Sequence, residues 1–208
     1  MRISTVRPAA CLSLLLLAAG CSTRQLPKYE KPIARAQFQS VRTTAYTHTE
    51  ADHRAYSNRN ALGSTLQAKG LRSAAADWSR WPAGTVFRLV DGGQPYIVDD
   101  YGWALAGTNT IDIYQPTRQA MNQWGVRRVD IEVLQWGDVD ESRGILRPRR
   151  KYRHVARMLD EIGDRYAELK TPVPTAPVAE PVVLASAAPV SAAPLQPFNT
   201  GVPRPRRP

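Results

Sequence analysis

Between residues 41 and 137, apolar positions come in short runs separated by glycine and proline. The clearest run is 126–134. There Val129, Ile131 and Val133 alternate with Arg128, Asp130 and Glu132, the period of two of a strand with one buried face. Ser73–Ala76, Thr85–Val90, Tyr96–Val98 and Thr110–Tyr114 are further short strand-like runs. The turn Asp91-Gly92-Gly93-Gln94-Pro95 joins two of them as a hairpin. Pro116–Trp124 has proline near its start and Gly125 just after it, the asymmetry expected of a short helix. Residues 147–170 open with a basic cluster and then place Val155, Leu159, Ile162, Tyr166 and Leu169 at helical spacing. That stripe predicts a helix packed on the strands, with a membrane-surface or partner helix as the alternative.

Composition locates the folded part. Residues 41–137 hold all five Trp, five of the eight Tyr and nine of the 13 Gly. Aromatic residues supply core area and glycines supply turns. Residues 171–208 are rich in Pro, Ala and Val, hold ten prolines and end in Arg-Pro-Arg-Arg-Pro. Such a stretch is expected to remain a disordered tail. The expected division is therefore a signal peptide at 1–20, a tether at 21–40, a β domain at 41–137, a basic segment and helix at 138–170, and the tail at 171–208.

The amino terminus carries a distinct signal. Arg2 and Arg7 precede an apolar run from Ala9 to Ala19, the pattern of a secretory signal. Its end, Leu17-Ala18-Ala19-Gly20-Cys21, resembles the lipobox of bacterial lipoproteins. The resemblance implies cleavage before Cys21 and acylation of Cys21, with membrane attachment through that lipid. Ser22 is compatible with sorting to the outer membrane, facing the periplasm. An ordinary signal peptide is the alternative. With Cys11 lost in the signal and Cys21 lipidated, no disulfide is expected. The formal charge of +10 falls to +8 once Arg2 and Arg7 are removed (10 − 2). An exported basic chain points to an anionic surface and away from nucleic acid.

No phosphate-cradling glycine loop, Cys/His cluster or nucleophile elbow is present, and no cofactor is expected. His48 and His53 share a segment with Glu50 and Asp52, but a spacing of five matches known ligand patterns poorly. No metal is expected. Three aspartates draw attention instead: Asp77, Asp100 and above all Asp112, set between Ile111 and Ile113 in an otherwise apolar strand. Aspartate is a poor strand former, and a buried carboxylate is costly unless paired or protonated. Asp99 precedes Asp100, and regular alternation would send the two to opposite faces, leaving one in solvent.

Five segments occur in an order that resembles the three-aspartate (3D) domain family. They are Thr43-Thr44-Ala45-Tyr46-Thr47; Gly63, Thr65 and Gly70; Ala75, Asp77, Pro82, Gly84 and Thr85; Asp100, Gly102, Ala104, Leu105 and Gly107; and Asp112, Ile113, Tyr114, Trp124 and Gly125. The resemblance covers about 41–136. It implies a mainly β fold: a six-stranded double-psi β-barrel, here with a C-terminal helix and the disordered tail. This barrel stands alone in small cell-wall proteins and forms the catalytic part of membrane-bound lytic transglycosylase A.

The resemblance also implies roles. Asp112 would be the catalytic acid/base, Asp100 its support in the cleft, and Asp77 the third member. The activity implied is cleavage of the MurNAc–GlcNAc bond of peptidoglycan with formation of a 1,6-anhydromuramic end. Hydrolytic glycosidases generally use two carboxylates, whereas this reaction needs one that first gives and then takes a proton. Ile111, Ile113 and a second carboxylate are expected to raise the Asp112 pKa. Tyr101 and Trp103 replace a Thr and a Gly of the family pattern and, with Tyr114, are candidates to stack on sugar rings. A non-catalytic peptidoglycan-binding lipoprotein is the alternative, and a structural envelope protein using 147–157 and the tail is a third.

Overall fold

The structure, a computed structural model, describes residues 25–51 and 53–173. The signal segment, Cys21 and the proposed tail from residue 174 onward lie outside the described residues. Six strands close into a mixed barrel: β1 (Phe38–Tyr46), β2 (Arg72–Ala75), β3 (Val86–Leu89), β4 (Pro95–Asp100), β5 (Thr110–Tyr114) and β6 (Arg127–Gln135). Their order around the barrel is β1-β5-β2-β4-β3-β6. The pairs β1–β5 and β2–β4 are parallel, and the other four are antiparallel. The five short, turn-bounded runs predicted from the pattern are β2 to β6, with ends within two residues of those expected; β1, nine residues long, was not among them.

Alternation fills the interior. Val41, Ala74, Phe87, Val98, Ile111, Ile113, Ile131 and Val133 are buried in one cluster. Close approach fixes the exit from β6. A Cβ on Gly137 would collide with the carbonyl oxygens of Pro82 and Ala83, so only glycine fits there. Helix α1 (Arg118–Trp124) begins at Thr117, whose hydroxyl accepts from Ala120 N at 3.1 Å, a side-chain N-cap.

The carboxyl-terminal part holds three helices rather than one: α2 (Val139–Leu146), α3 (Arg153–Asp164) and α4 (Tyr166–Lys170). Asp138 caps α2 by accepting from Asp140 N and Glu141 N. The predicted apolar stripe is real but is split at Arg165, which leaves the helical conformation (φ −108°, ψ 13°). Val155, Met158, Leu159, Ile162 and Leu169 join the barrel's core cluster, so the stripe packs on the barrel. No helix among the described residues is long and apolar enough to cross a membrane.

The segment before β1, expected as a tether, is in contact with the domain. Arg35 Nη1 donates to the carbonyls of Glu168, Leu169 and Thr171 and so satisfies the last turn of α4. Its guanidinium also lies 4.3 Å from the Trp136 ring centroid. Glu30 N donates to Gly107 O, and Ile33 N to Asn109 Oδ1.

Candidate functional site

The aspartate in β5 points out of the barrel. Ile111 and Ile113 are fully buried in the interior, so Thr110, Asp112 and Tyr114 stand on the opposite, outer face. Register then builds a grid on that face. Thr44 of β1 lies opposite Asp112, and Tyr46 opposite Tyr114. The Thr44 hydroxyl donates to Asp112 Oδ1 at 2.6 Å. On the other side Asp112 faces Ala75 of β2, and Ala75 in turn faces Asp100 of β4. Thr44, Asp112, Ala75 and Asp100 thus form one row across four strands. Two strand spacings separate Asp112 from Asp100, about 10 Å between Cα atoms.

Regular alternation would have sent Asp100 inward beside Val98. A bulge prevents this: the β2–β4 register steps from Ala74↔Val98 to Ala75↔Asp100. A bulge places two residues opposite one and re-aims a side chain. Both aspartates therefore serve the outer face. Asp99 accepts from Ser73 Oγ (2.6 Å) and Asn60 Nδ2 (2.8 Å), and Asp100 accepts from Tyr46 OH (3.3 Å). The expectation that they split between faces, with one in solvent, is corrected; their residual exposures are 5% and 7%.

Burial dominates the electrostatics here. It raises the Asp100 carboxyl to about 7; the Tyr101 N–H at 2.9 Å opposes the shift and the neighbouring Asp99 adds to it. Burial also raises Asp99, against its bonds to Ser73 and Asn60. The Tyr46 phenol is pushed well up by burial and then by the carboxylates Asp100, Asp99 and Asp112. Tyr46, from β1, thus reaches Asp100 of β4 through its hydroxyl. Asp112 is the accessible member, only half-buried. Ile111 and Ile113 were expected to press on its carboxyl, but they face the interior and cannot.

Aromatic residues floor the face. Tyr46 and Tyr114 are 5.6 Å apart between ring centroids. They cluster with Leu66, Ala75 and Leu105, which come from β2 and from the loops bordering the face. The Tyr114 hydroxyl is 2.8 Å from His48 Nδ1, so this predicted sugar-stacking residue is buried and engaged through its phenol. Tyr101 is half-buried. Its ring meets Trp78 edge-on at 5.0 Å and lies 5.9 Å from His154, and Arg149 donates to its hydroxyl. Trp103 is half-buried in the loop after β4.

Asp77 is elsewhere. It is fully buried and accepts from Ser79 N, Ser79 Oγ and Gly107 N. Gly107 has φ +79°, which lets that loop turn its N–H onto the carboxylate. Arg80 Nε lies 3.9 Å from Asp77 Oδ2. The structure therefore brings Asp100 and Asp112 to one face and holds Asp77 in a separate cluster of charge.

Thr44, Tyr46 and His48 were not picked out as site residues. Their signal was the Thr-Ala-Tyr segment itself: in a parallel neighbour of β5, the residue opposite Asp112 must share its face. Among the described residues no three His, Cys, Asp or Glu gather as a metal site. A cavity of about 540 Å³ lies between Leu26, Tyr29 and α3, and another of about 350 Å³ beside Trp136; neither is lined by the outer-face carboxylates.

No family model matches the chain, and no curated protein matches it. Among solved structures the chain is similar to an apo form of a variant of the E. coli lytic transglycosylase MltA, at 23% identity and a TM-score of 0.31. The match covers 38% of this chain and 28% of that one, under a third of the other protein's length.

Proposed function

We propose that the chain is a peptidoglycan lytic transglycosylase that uses Asp112 as its single acid/base. The observation that carries the reading is the asymmetry of the two outer-face carboxyls. Asp112 is reachable and is held by Thr44, whereas Asp100 is 7% exposed and stays protonated to about pH 7. A hydrolase needs a second carboxylate that attacks or activates water. Asp100 is too buried to do so.

The ordered motifs that resemble the three-aspartate family support the same assignment. Protonated Asp112 gives its proton to the glycosidic oxygen as the bond from the anomeric carbon breaks. The carboxylate left behind takes the proton of the muramyl 6-hydroxyl as that oxygen closes on the anomeric carbon. Water enters neither step, and Asp112 ends protonated as it began. Asp100 fixes Tyr46, whose ring backs the aromatic floor.

Purified sacculi incubated with the chain test this. Release of 1,6-anhydromuramyl fragments that vanishes with Asp112→Asn is expected. Reducing ends would instead make the chain a hydrolase, and binding without release would make it a wall-binding module.

In the same reading the chain is an envelope lipoprotein anchored through acylated Cys21. A fatty-acid label that survives in Cys21→Ala would overturn that part.

A further inference from the structure

Resting on the reading above, we propose that Arg42 and Arg128 form an anion subsite that binds the acid group carried by the sugar whose bond is cleaved. Both arginines stand on the outer face. Arg42 is two residues before Thr44 on β1, and its Nη1 donates to Thr110 Oγ1 at 3.1 Å. Thr110 is two residues before Asp112 on β5. Arg128 alternates with buried Ile131 and Val133 and with half-buried Val129, so it faces out as well.

Register sets Arg42 directly opposite Arg128 in the antiparallel β1–β6 pair. Their Cβ atoms are then about 5 Å apart. Like charges directly opposite on one sheet face destabilise it, and no carboxylate among the described residues forms an ion pair with either arginine. Arg128 forms no side-chain hydrogen bond or ion pair among the described residues, and Asp130, two residues along the same strand, forms no ion pair with it. The pair lies one row, about 7 Å, from Thr44 and Asp112.

A carboxylate matches this geometry. Two guanidinium groups can each present paired N–H donors to its oxygens. Where its stem peptide has been removed, the proposed substrate carries a free carboxylate on the ether substituent of the muramyl ring, the same ring whose anomeric carbon Asp112 serves. The arginines would register that sugar so that its glycosidic oxygen meets Asp112. They touch neither reacting atom and are binding residues, so their effect should fall on KM rather than kcat.

The test uses soluble glycan oligomers in two forms, with the muramyl acid free or as its methyl ester. The whole chain is compared with Arg42→Gln/Arg128→Gln and with the double lysine variant. Expected is a preference of the whole chain for the free acid, seen in KM, that falls about tenfold in the glutamine variant and is partly restored by lysine. If KM for acid and ester shift together, the subsite is overturned and the acid/base reading stands.

If no oligomer is cleaved by any form, Kd from calorimetry decides. An arginine-dependent preference for the acid keeps the subsite while the transglycosylase reading falls. Equal Kd values overturn the subsite. Arginine-dependent binding to phosphatidylglycerol vesicles, without discrimination between acid and ester, would instead assign the pair to a membrane surface and overturn the proposal.

Discussion

Two clusters of buried charge sit on opposite principles. In the first, Arg80 is nearly inaccessible between Asp77 and Glu161, with Nε 3.9 and 3.6 Å from their carboxylates. Its other nitrogens donate to Asn109 Oδ1 and Glu30 O, and Arg165 approaches Glu161 at 3.5 Å. The segment before β1, the Asp77 loop and α3 meet there around Arg80, through two carboxylates, a carbonyl and an amide oxygen. In the second, on the outer face, Asp99 and Asp100 are answered by a hydroxyl, an amide, a backbone N–H and a phenol, and by no cation among the described residues. Paired charges hold an architecture. Carboxylates buried without a cation cost stability and keep their protons, a condition that concentrates at functional sites.

Removing one charged group from each cluster separates the two roles most clearly. Asp112→Asn is expected to lower formation of anhydro ends by about 10²–10⁴-fold, the range for a general acid/base, with the thermal midpoint little changed. Retained turnover would remove Asp112 from the chemistry. In the other cluster, Arg80→Leu is expected to cost about 3–5 kcal/mol in urea unfolding, because Asp77 is left buried without its cation and Glu161 keeps only Arg165. A loss below about 1 kcal/mol would mean that the donors of Ser79 and Gly107 suffice for Asp77.

Asp100 yields a pH signature. Its folded value, near 7, lies above the unfolded carboxylate value of 3.8. The folded state therefore binds the proton more tightly. Below about pH 4 both states are protonated and no penalty exists. Between about pH 4 and 7 only the unfolded chain ionises, so stability falls as pH rises, and above 7 the full penalty applies. At about 1.4 kcal/mol per unit the penalty is on the order of 4 kcal/mol. Asp100→Asn should be more stable than the parent at pH 8 and converge on it at pH 4. A constant difference across that range would mean that Asp100 ionises normally.

Much of this was legible from the chain. Short turn-bounded runs, one of them with a clear period of two, located five of the six strands, and only the Thr-Ala-Tyr segment marked β1. Asp112 stood out because carboxylates are rare between isoleucines, and strand geometry alone could have told that Ile111 and Ile113 face away from it. The bulge at Asp99–Asp100 was not legible, because it is set by pairing with β2 and leaves no periodic trace. Helix α2 was missed because only Val139, Ile145 and Leu146 are large and apolar among eight residues, too few for a stripe. The segment before β1 reads as a linker by composition. Its order comes from single side chains, Arg35 on the end of α4 and Tyr29 beside Glu161, each finding a partner more than 130 positions away.

The smallest expected effect separates binding from holding within the outer face itself. Arg42 and Arg128 oppose each other with like charge, so removing one should help the fold. Arg128→Gln is expected to stabilise the chain by about 0.2–1 kcal/mol at low salt, and the gain should shrink at high salt, as the screening length falls to about 3 Å at 1 M. The same substitution should weaken binding of the acid-bearing sugar. A surface arginine kept for structure cannot show both signs at once, because losing a structural contact lowers stability. Urea unfolding of Arg128→Gln at low and high salt, beside its Kd for the free-acid oligomer, measures the two together. Destabilisation at low salt would place Arg128 among the groups that hold the barrel and remove the basis for an anion beside Asp112.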